Sequence, residues 1–437
     1  MTLFHAERAF VDGVVAKDVL IKIEDGRFAA VTAGQPRGAA NKLPGLVLPG
    51  FANVHSHAFH RALRGRTHSG RGSFWTWREL MYEVAGGLDP DGYYRLARAV
   101  YGEMAMAGIT AVGEFHYLHH DPRGRRYDDP HAMGAALIAA AVDAGIRITL
   151  LDTLYLASGV DGRPLEGVQL RFGDGSVDAW AERVGLLTEG PHSRIGAAAH
   201  SVRAVPADDL RRLADRCVSV LRAALSTDTH HGAPPLHVHL SEQRAENEQC
   251  QAVHGCTPTE LLRRNGLLGP ATTVVHATHL TDADVTALSG TGVCFCPTTE
   301  RDLADGTGRP RALQRLSLGS DSHAVIDFFE EARALEMDER LVSEERGHFT
   351  VAELIAAATN HAAIGWDDAG TIAVGKRADL VAFSLDSVRT AGAATDQAFL
   401  AATAADITTV IADGRMIVGD GRHLGFDVAA ELRKAIG

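Results

Sequence analysis

Lysine is the residue that this chain most clearly lacks. Only five of its 437 residues are lysines, and they are Lys17, Lys22, Lys42, Lys376 and Lys434. The stretch 43–375 therefore contains no lysine at all. Any mechanism that needs a lysine side chain within this central stretch is excluded.

Long apolar runs and an excess of basic residues are also missing. No stretch approaches the ~18 consecutive apolar residues of a membrane span, and the start lacks the basic and apolar regions of a signal peptide. We therefore expect a cytoplasmic protein with no membrane partner. The net charge of −12, from 43 basic and 55 acidic residues, would repel a phosphate backbone, so we expect no nucleic-acid partner.

Cysteines are few, whereas histidines are abundant. The five cysteines are odd in number and form no CxxC pair, which argues against a disulfide framework or a cysteine-based zinc site. The chain has 22 histidines, and several lie in tight clusters. Because histidine is the commonest metal ligand, this composition favours a search for a metal site.

The middle of the chain alternates short apolar segments with longer segments of helical periodicity, which indicates β/α units around a parallel sheet. Eight segments are strand candidates, namely 47–57, 109–117, 147–155, 194–203, 235–242, 272–280, 292–299 and 315–322. Typical helices between them are 91–108, 206–225 and 257–266. Eight such units predict an α/β fold of the (β/α)8 TIM-barrel class, with the active site at the C-terminal ends of the strands.

Two other parts of the chain have a different pattern. The Arg-, Gly- and Trp-rich segment 64–82 is predicted to be a long loop, either on the surface or covering a substrate. At the chain ends, segments 9–15, 18–31, 371–385 and 407–423 combine short strands with turn residues, including Asp-Gly pairs. We predict that both ends together build one small antiparallel β-module.

The first candidate site is the pair His55 and His57 at the end of the first barrel strand. Residues i and i+2 of an extended strand share a face, so both imidazoles can hold one metal ion. His239 at the end of the fifth strand can supply a third imidazole, and Asp321 after the eighth strand a carboxylate. This set leaves room for a water molecule on a Zn²⁺-type ion.

Two further groups lie near these positions in the predicted barrel. Glu242 follows His239 by three residues and can hang over the metal without ligating it. His276 on the sixth strand adds a proton donor or acceptor. His237 and His279 are second choices, because one side chain per strand end usually reaches the ion.

In these motifs the chain resembles the amidohydrolase superfamily. The motifs are PGFANVHSH (49–57), HVHLSE (237–242), VVHATH (274–279) and SLGSDS (317–322). The resemblance implies a composite β-sandwich of residues 1–46 and 371–437 beside a metal-dependent barrel of residues 47–370. It also implies one divalent metal ion, with Zn²⁺ expected, since the lysine that bridges two metals in many relatives is absent.

Within this superfamily, three segments resemble the formimidoylglutamate deiminases, enzymes of histidine degradation: HSHAFHRALRG (55–65), GSFWTWRELMY (72–82) and EFHYLHH (114–120). The resemblance implies hydrolysis of N-formimino-L-glutamate to N-formyl-L-glutamate and ammonia. It assigns the metal ligands as His55, His57, His239 and Asp321. It assigns the catalytic groups as Glu242, His276 and Asp321. It assigns the substrate-binding positions as His60, Arg78, Tyr117, His200 and Arg203.

A small dicarboxylate substrate requires local cations in an acidic protein. Arg78 and Arg203 can each clamp a carboxylate through paired N–H donors, and Tyr117 and His200 can add directional hydrogen bonds. His60 occupies a position where many relatives have glutamine, and it can still donate to a carboxylate. Without the resemblance, Arg203 is equally a surface charge, and Arg78 equally a stacking partner of a neighbouring tryptophan.

Two other functions stay open. The first is a mononuclear amidohydrolase that deaminates or dechlorinates a heterocycle such as guanine, adenosine or a triazine, whose pocket would need aromatic stacking and amide contacts instead of two arginines. The second is a catalytically silent barrel scaffold, which a lack of recoverable metal would favour. A homodimer is expected from the resemblance and from the prevalence of two-fold assemblies.

Overall fold

The computed structural model describes residues 1–67, 74–224 and 234–437. Within them the backbone forms two sheets of eight strands each. The strands are β1 (Thr2–Val11), β2 (Val14–Glu24), β3 (Arg27–Thr32), β4 (Asn41–Pro49), β5 (Phe51–Ser56), β6 (Ile109–His116), β7 (Arg147–Leu154), β8 (Ser193–Ala199), β9 (Leu236–Leu240), β10 (Thr272–His276), β11 (Gly292–Phe295), β12 (Leu316–Leu318), β13 (Leu380–Phe383), β14 (Ile407–Ala412), β15 (Arg415–Gly419) and β16 (Arg422–His423).

The two chain ends share one sheet, with the order β16-β15-β14-β13-β4-β1-β2-β3. β4 runs parallel to β1 and antiparallel to β13, so it joins the N-terminal strands to the C-terminal strands. Two hairpins turn at Asp25-Gly26 and Asp413-Gly414, where both residues have positive φ, as a two-residue type I′ turn requires. The prediction of one β-module built from both ends is confirmed.

The second sheet contains β5–β12, and its neighbouring strands are parallel and follow the chain order. A bridge between Ser56 and Asp321 joins β5 to the residues that follow β12. There, Asp321 N donates to His55 O at 3.0 Å, and His57 N donates to Asp321 O at 3.3 Å. These contacts nearly close the sheet into a barrel, so the predicted TIM-barrel class is confirmed.

Each predicted strand segment overlaps one barrel strand, but most segments extend past the end of the strand, and 292–299 runs into a helix that begins at Pro297. The first segment also spans both sheets. Residues 47–49 end β4 of the other sheet, whereas the barrel strand β5 begins at Phe51. The chain passes between the sheets at Gly50, where a Cβ atom would lie 2.5 Å from the Thr110 side chain. Glycine is therefore required here by the close approach of β6.

The α-helices are α1 (Phe74–Gly87), α2 (Pro90–Met106), α3 (Ala132–Ala144), α4 (Val177–Val184), α5 (Ala207–Ala224), α6 (Arg244–His254), α7 (Pro258–Arg264), α8 (Asp282–Ala287), α9 (Pro297–Asp302), α10 (Phe328–Ser343), α11 (Val351–Ala358) and α12 (Val428–Ile436). Short 3-10 helices are Ala58–Leu63, Gly167–Arg171, Pro310–Ala312, His361–Ile364, Ala398–Leu400 and Ala404–Asp406. The predicted helices correspond to α2, α5 and α7. Among the described residues, no helix combines the length and the apolar character needed to cross a membrane.

The predicted long loop 64–82 is wrong in its second half, because α1 begins at Phe74. Met81 and Ala85 of this helix are buried in the main core, and this packing stabilises a helix for which the sequence offers little local signal. Residues 68–73 of the predicted covering loop lie outside the described residues.

The N-terminal end of the barrel interior is filled. Trp366 and Ile364 pack there against Ala52, Ala111 and other small apolar residues of the strands. The Trp366 indole donates to Thr149 Oγ1 at 3.0 Å, which satisfies its buried N–H group. Space for a ligand therefore lies at the opposite, C-terminal end of the strands.

Candidate active site

The four predicted metal ligands converge at the C-terminal end of the barrel. His55 lies on β5 and His57 directly follows it, His239 lies on β9, and Asp321 follows β12. Asp321 Oδ1 is 3.3 Å from His55 Nε2 and 3.4 Å from His57 Nε2. The Nε2 atoms of His55 and His239 are 3.0 Å apart. The closure between β5 and the end of β12 brings these residues together, although they are far apart in sequence.

Backbone carbonyls orient two of the imidazoles. His57 Nδ1 donates to Phe115 O at 3.0 Å, and His239 Nδ1 donates to His200 O at 2.9 Å. Each ring then directs a lone pair on Nε2 toward the cluster, as in metal sites with ordered outer-shell partners. Burial lowers the pKa of His57 to about 3 and the pKa of His239 well below its usual value, so both imidazoles are neutral and able to ligate.

The spacing of this cluster fits a shared cation. With metal–ligand bonds of about 2.0–2.1 Å, neighbouring ligand atoms around one zinc ion lie about 3 Å apart, close to the separations observed. Nitrogen lone pairs that face one another at such distances repel without a shared cation. The donor set of three imidazoles and one carboxylate is one that Zn²⁺ accepts in hydrolytic sites with an open position.

A buried polar network supports the residues on both sides of the cluster. Glu114 accepts from Ser56 Oγ at 2.7 Å and from Ala58 N at 2.6 Å, on either side of His57. His323 Nε2 lies 3.3 Å from Ser56 Oγ, and its Nδ1 lies 3.0 Å from Ser320 Oγ. These contacts fix the backbone that carries His57 and Asp321. Burial raises the pKa of Glu114 to about 7, so this carboxyl group can carry a proton near neutral pH.

His276 at the end of β10 lies among three carboxylates. Its Nδ1 donates to Glu300 Oε1 at 3.3 Å, while its Nε2 lies 3.8 Å from Asp321 Oδ2 and 3.9 Å from Glu242 Oε1. Burial opposes the protonation of His276, but these carboxylates outweigh burial and raise its pKa to about 10. The left-handed backbone of His276 (φ 71°) and Asp321 (φ 39°) is unusual for residues with a side chain, as found at functional sites.

Arg203 connects the cavity wall to Glu242. Its Nη2 donates to Glu242 Oε2 at 2.9 Å, and its Nε lies 3.2 Å from Glu246 Oε2. The other oxygen of the buried Glu246 accepts from Ser241 N at 3.1 Å. The guanidinium is therefore held between two carboxylates. Burial opposes the charge on Arg203, but Glu246 and, to a smaller extent, Glu242 outweigh burial and raise the pKa of Arg203.

A cavity of about 190 Å³ opens above the cluster. It is lined by His57, His60, Trp77, Arg78, Met81, Tyr82, Tyr117, Tyr155, Ser158, Gly159, Arg163, Phe172, His200, Arg203, His239, Glu242, Gln249, His276, Leu303 and Asp321. All five predicted substrate-binding residues are among them. His55 is fully buried and lies behind the wall of this cavity.

Three of the predicted substrate-binding residues contact one another. His60 Nε2 and Tyr117 Oη are 3.1 Å apart. The rings of Tyr117 and His200 have centroids 5.5 Å apart, and Arg78 lies over the Tyr82 ring at 5.2 Å. The cavity is therefore lined by both polar and aromatic groups.

Sequence reasoning missed four residues that touch this site. Glu300 holds His276, Glu246 holds Arg203, Glu114 supports the backbone at His57, and Arg163 lines the cavity. No sequence spacing indicates these roles. Glu300, Glu114 and Arg163 lie on different segments from the predicted site residues that they support or adjoin, and Glu246 lies four residues after Glu242. Ser320 Oγ also accepts from Asn53 Nδ2 at 2.7 Å, and neither this contact nor the contact of Ser320 with His323 has a signal in the sequence.

Two other groups of histidines differ from the cluster. His237, a second choice from the sequence, has its Nε2 2.9 Å from Ala363 O, away from the other ligands. His116, His119 and Asp152 also have ligand atoms close together. However, Asp152 accepts hydrogen bonds of 2.7 and 2.8 Å from the Arg183 guanidinium and one of 3.0 Å from Trp180. That carboxylate is already neutralised, and the adjacent guanidinium would repel a metal ion.

Comparisons with known proteins agree on one family. The Amidohydrolase family model matches residues 46–417. The chain is 36% identical to the formimidoylglutamate deiminase of Pseudomonas aeruginosa, with 98% of this chain and 97% of that protein covered. It is 27% identical to the 8-oxoguanine deaminase of the same species, with 94% and 92% covered.

Solved structures have the same fold. An amidohydrolase from Brucella melitensis superposes with a TM-score of 0.88 at 29% identity, with 100% of this chain and 99% of that chain covered. An adenosine deaminase from Xanthomonas campestris, solved with bound zinc, superposes with a TM-score of 0.81 at 23% identity, with 99% and 96% covered. The second likeness concerns the fold alone.

Proposed function

The chain belongs to the amidohydrolase family, and from this membership we propose that it hydrolyses N-formimino-L-glutamate to N-formyl-L-glutamate and ammonia. Water replaces the imino nitrogen on the formimino carbon, and that nitrogen leaves as ammonia. The observation that carries the proposal is the convergence of His55, His57, His239 and Asp321 below a cavity lined by arginines. The similarity to a formimidoylglutamate deiminase over nearly the full length supports the same reaction.

We propose that one divalent metal ion, Zn²⁺, is the cofactor. His55, His57, His239 and Asp321 would hold it, and their separations support this assignment. Bound there, the ion would activate a water molecule by lowering its pKa. The Asp152 carboxylate already accepts hydrogen bonds from Arg183, which argues against a second ion at His116 and His119.

The substrate carboxylates require cationic partners, and we assign them to Arg78 and Arg203. A guanidinium can donate two parallel hydrogen bonds to a carboxylate, which gives orientation as well as charge. Tyr117, His200 and His60 lie along the same wall and can donate further hydrogen bonds. Binding both ends of the substrate would leave its formimino group above the metal ligands.

Three side chains are suited to move protons. Asp321 Oδ2 and His276 Nε2, 3.8 Å apart, can take the proton of the attacking water. Glu242, 3.9 Å from the same His276 nitrogen, can receive that proton by way of His276 and pass it to the leaving nitrogen. Three carboxylates favour a charged His276 in the metal-free chain, whereas a cation bound at Asp321 opposes that charge. The bound state therefore favours His276 as an acceptor.

A heterocycle deaminase is the second candidate function. The aromatic lining of Trp77, Tyr82, Tyr155 and Phe172 favours it, and an 8-oxoguanine deaminase is among the relatives. Arg78, Arg163 and Arg203 argue against it, because a neutral ring needs no cluster of guanidinium groups. The identity to the 8-oxoguanine deaminase, 27%, is lower than the 36% to the formimidoylglutamate deiminase, which also argues against this second function.

Ammonia release from the zinc-loaded protein tests the proposal. We expect turnover of N-formimino-L-glutamate with kcat/KM at least about 100-fold above that for guanine, adenosine or a triazine. Preferred turnover of a heterocycle would overturn the substrate assignment in favour of the second candidate. A purified chain with no metal, and none taken up on incubation with Zn²⁺, would favour the silent scaffold.

We also propose that the protein is a homodimer. Two-fold dimers are the commonest symmetric assemblies of soluble enzymes. Sedimentation equilibrium should give twice the mass of one 46.5 kDa chain. A single-chain mass at micromolar concentration would contradict the dimer without affecting the proposed reaction.

A further inference from the structure

A short turn after β7 reaches the mouth of the cavity. Ser158, Gly159 and Arg163 of this turn line the cavity. Ser158 N donates to Arg163 O at 2.8 Å, and Gly162 N donates to Gly159 O at 2.9 Å. These backbone hydrogen bonds close the turn on itself, so Arg163 is attached to an ordered base.

The Arg163 side chain is paired with a carboxylate that another carboxylate can replace. Arg163 Nε donates to Asp161 Oδ1 at 2.9 Å, and the two side chains are 70% and 50% exposed. Solvent screens an ion pair of this kind, and its members exchange partners easily. An incoming carboxylate can therefore take the place of Asp161.

Gly159 makes room for this ion pair at the cavity wall. A Cβ atom at position 159 would lie 3.1 Å from Arg163 Nη2 and 2.9 Å from Asp161 Oδ1. A side chain there would require the ends of these two side chains to shift. The glycine therefore leaves room for the ion pair in its present position.

The charges deeper in the cavity leave a role for this cation. Arg203 contacts both Glu242 and Glu246, so one positive charge already faces two negative charges. A dicarboxylate brings two more negative charges into the same space. A third guanidinium at the mouth offers one of these carboxylates a cationic partner that is not shared with Glu242 and Glu246.

We propose that Arg163 is a specificity-determining residue, which leaves Asp161 and binds the outer carboxylate of the substrate when the substrate enters. This inference rests on the proposed function, because it takes a dicarboxylate as the substrate. It predicts that Arg163 matters for substrates with two carboxylates and much less for those with one.

The test compares Arg163→Gln with Arg125→Gln in the zinc-loaded protein. Arg125 is a matched control, since its Nε donates to Asp121 at 2.8 Å, it is 69% exposed, and it does not line the cavity. For N-formimino-L-glutamate we expect R163Q to raise KM about 10-fold with kcat nearly unchanged, and R125Q to match the wild type. For N-formimino-L-norvaline, which keeps the carboxylate next to the formimino nitrogen and lacks the distal one, we expect R163Q to change kcat/KM less than 3-fold.

Two outcomes would overturn the inference. One is that R163Q and R125Q have the same KM for the dicarboxylate. The other is that R163Q weakens both substrates by the same factor, which would mean a general effect and no specificity.

A second measurement separates this inference from the proposed function. If the wild type releases no ammonia from N-formimino-L-glutamate, the proposed function fails, and calorimetric binding of glutarate still tests Arg163. Weaker glutarate binding by R163Q than by R125Q would support the carboxylate site, and equal binding would remove it. Asp161→Asn should strengthen glutarate binding about 2- to 3-fold, because Arg163 then has no competing partner.

Discussion

Arg203 Nη2 lies 2.9 Å from Glu242 Oε2, so the proposed carboxylate-binding residue and the proposed proton donor form one ion pair. A substrate carboxylate that binds Arg203 must share this guanidinium with Glu242. Glu246 contacts Arg203 from the Nε side and can keep the guanidinium at the wall while Glu242 turns toward the substrate. Substrate binding and proton delivery are therefore coupled through a single side chain.

Glu242→Gln should retain the metal but lose most of the turnover. The amide cannot deliver a proton to the leaving nitrogen, and general acid catalysis typically contributes about 10²–10⁴-fold. Steady-state ammonia release and metal content, measured on the same preparation, check this. Glu248→Gln, an exposed change on helix α6, which begins two residues after Glu242, is the control and should behave as the wild type. Near-normal turnover of metal-loaded E242Q would remove Glu242 from proton transfer.

Arg203→Lys should raise KM and lower kcat together. A lysine ammonium is a compact point charge, which cannot contact Glu242, Glu246 and a substrate carboxylate with the fixed fork of a guanidinium. We expect kcat/KM to fall by about 10²-fold, with a contribution from each parameter. Arg211→Lys on the exposed side of α5 is the control. A pure KM effect in R203K would show that Arg203 does not help to position Glu242.

Much of the set of proposed metal ligands can be predicted from the sequence, because its signals are local. The i, i+2 spacing of His55 and His57 on a strand places both rings on one face, and the barrel pattern places strand ends together. The supporting carboxylates were not predictable, since Glu300 and Glu114 find their partners only through the folded topology. Helix α1 has only a weak signal in the sequence, because the FWTW segment has modest helix propensity, and burial of Met81 and Ala85 decides its structure.

Asp321→Asn should lower the metal content far below one ion per chain. The change removes the anionic ligand that lies near His55 and His57, and a neutral amide is a much weaker ligand for Zn²⁺. Metal analysis after dialysis against Zn²⁺ checks this. His116→Gln is the control, since Arg183 already neutralises the carboxylate in that group. Loss of metal from H116Q, or two ions in the wild type, would contradict the single-metal assignment.

The metal-free protein should lose stability as the pH falls from about 6.5 toward 4. Burial lowers the pKa of His237 to about 4, whereas an unfolded histidine has a pKa of about 6.5. The neutral His237 imidazole stabilises the folded chain, and this stabilisation is fully present above pH 6.5. It is lost on acidification, because His237 binds a proton in the unfolded chain at a higher pH than in the folded chain. Each such histidine contributes a loss of about 2 kcal/mol between pH 7 and pH 5.

His237→Gln isolates one of these contributions. Its amide can still donate to Ala363 O, as the imidazole does at 2.9 Å, but it cannot titrate. Urea unfolding of metal-free protein at pH 7 and pH 5 should show a pH-dependent loss of unfolding free energy that is about 2 kcal/mol smaller in H237Q than in the wild type. Equal pH dependence of the two proteins would mean that folding does not lower the pKa of His237.

His60→Gln should leave the reaction nearly intact, whereas His60→Ala should not. His60 Nε2 lies 3.1 Å from Tyr117 Oη, and burial lowers its pKa well below the usual value, so a neutral donor already occupies this position. A glutamine amide is also a neutral donor and acceptor that can reach both Tyr117 and a carboxylate. Alanine would leave the buried Tyr117 hydroxyl without this partner, which typically costs about 1–3 kcal/mol. We therefore expect kcat/KM of H60Q within about 3-fold of the wild type and that of H60A lower by about 10-fold or more. If H60Q were as impaired as H60A, the imidazole itself would have a role that hydrogen bonding to Tyr117 does not explain.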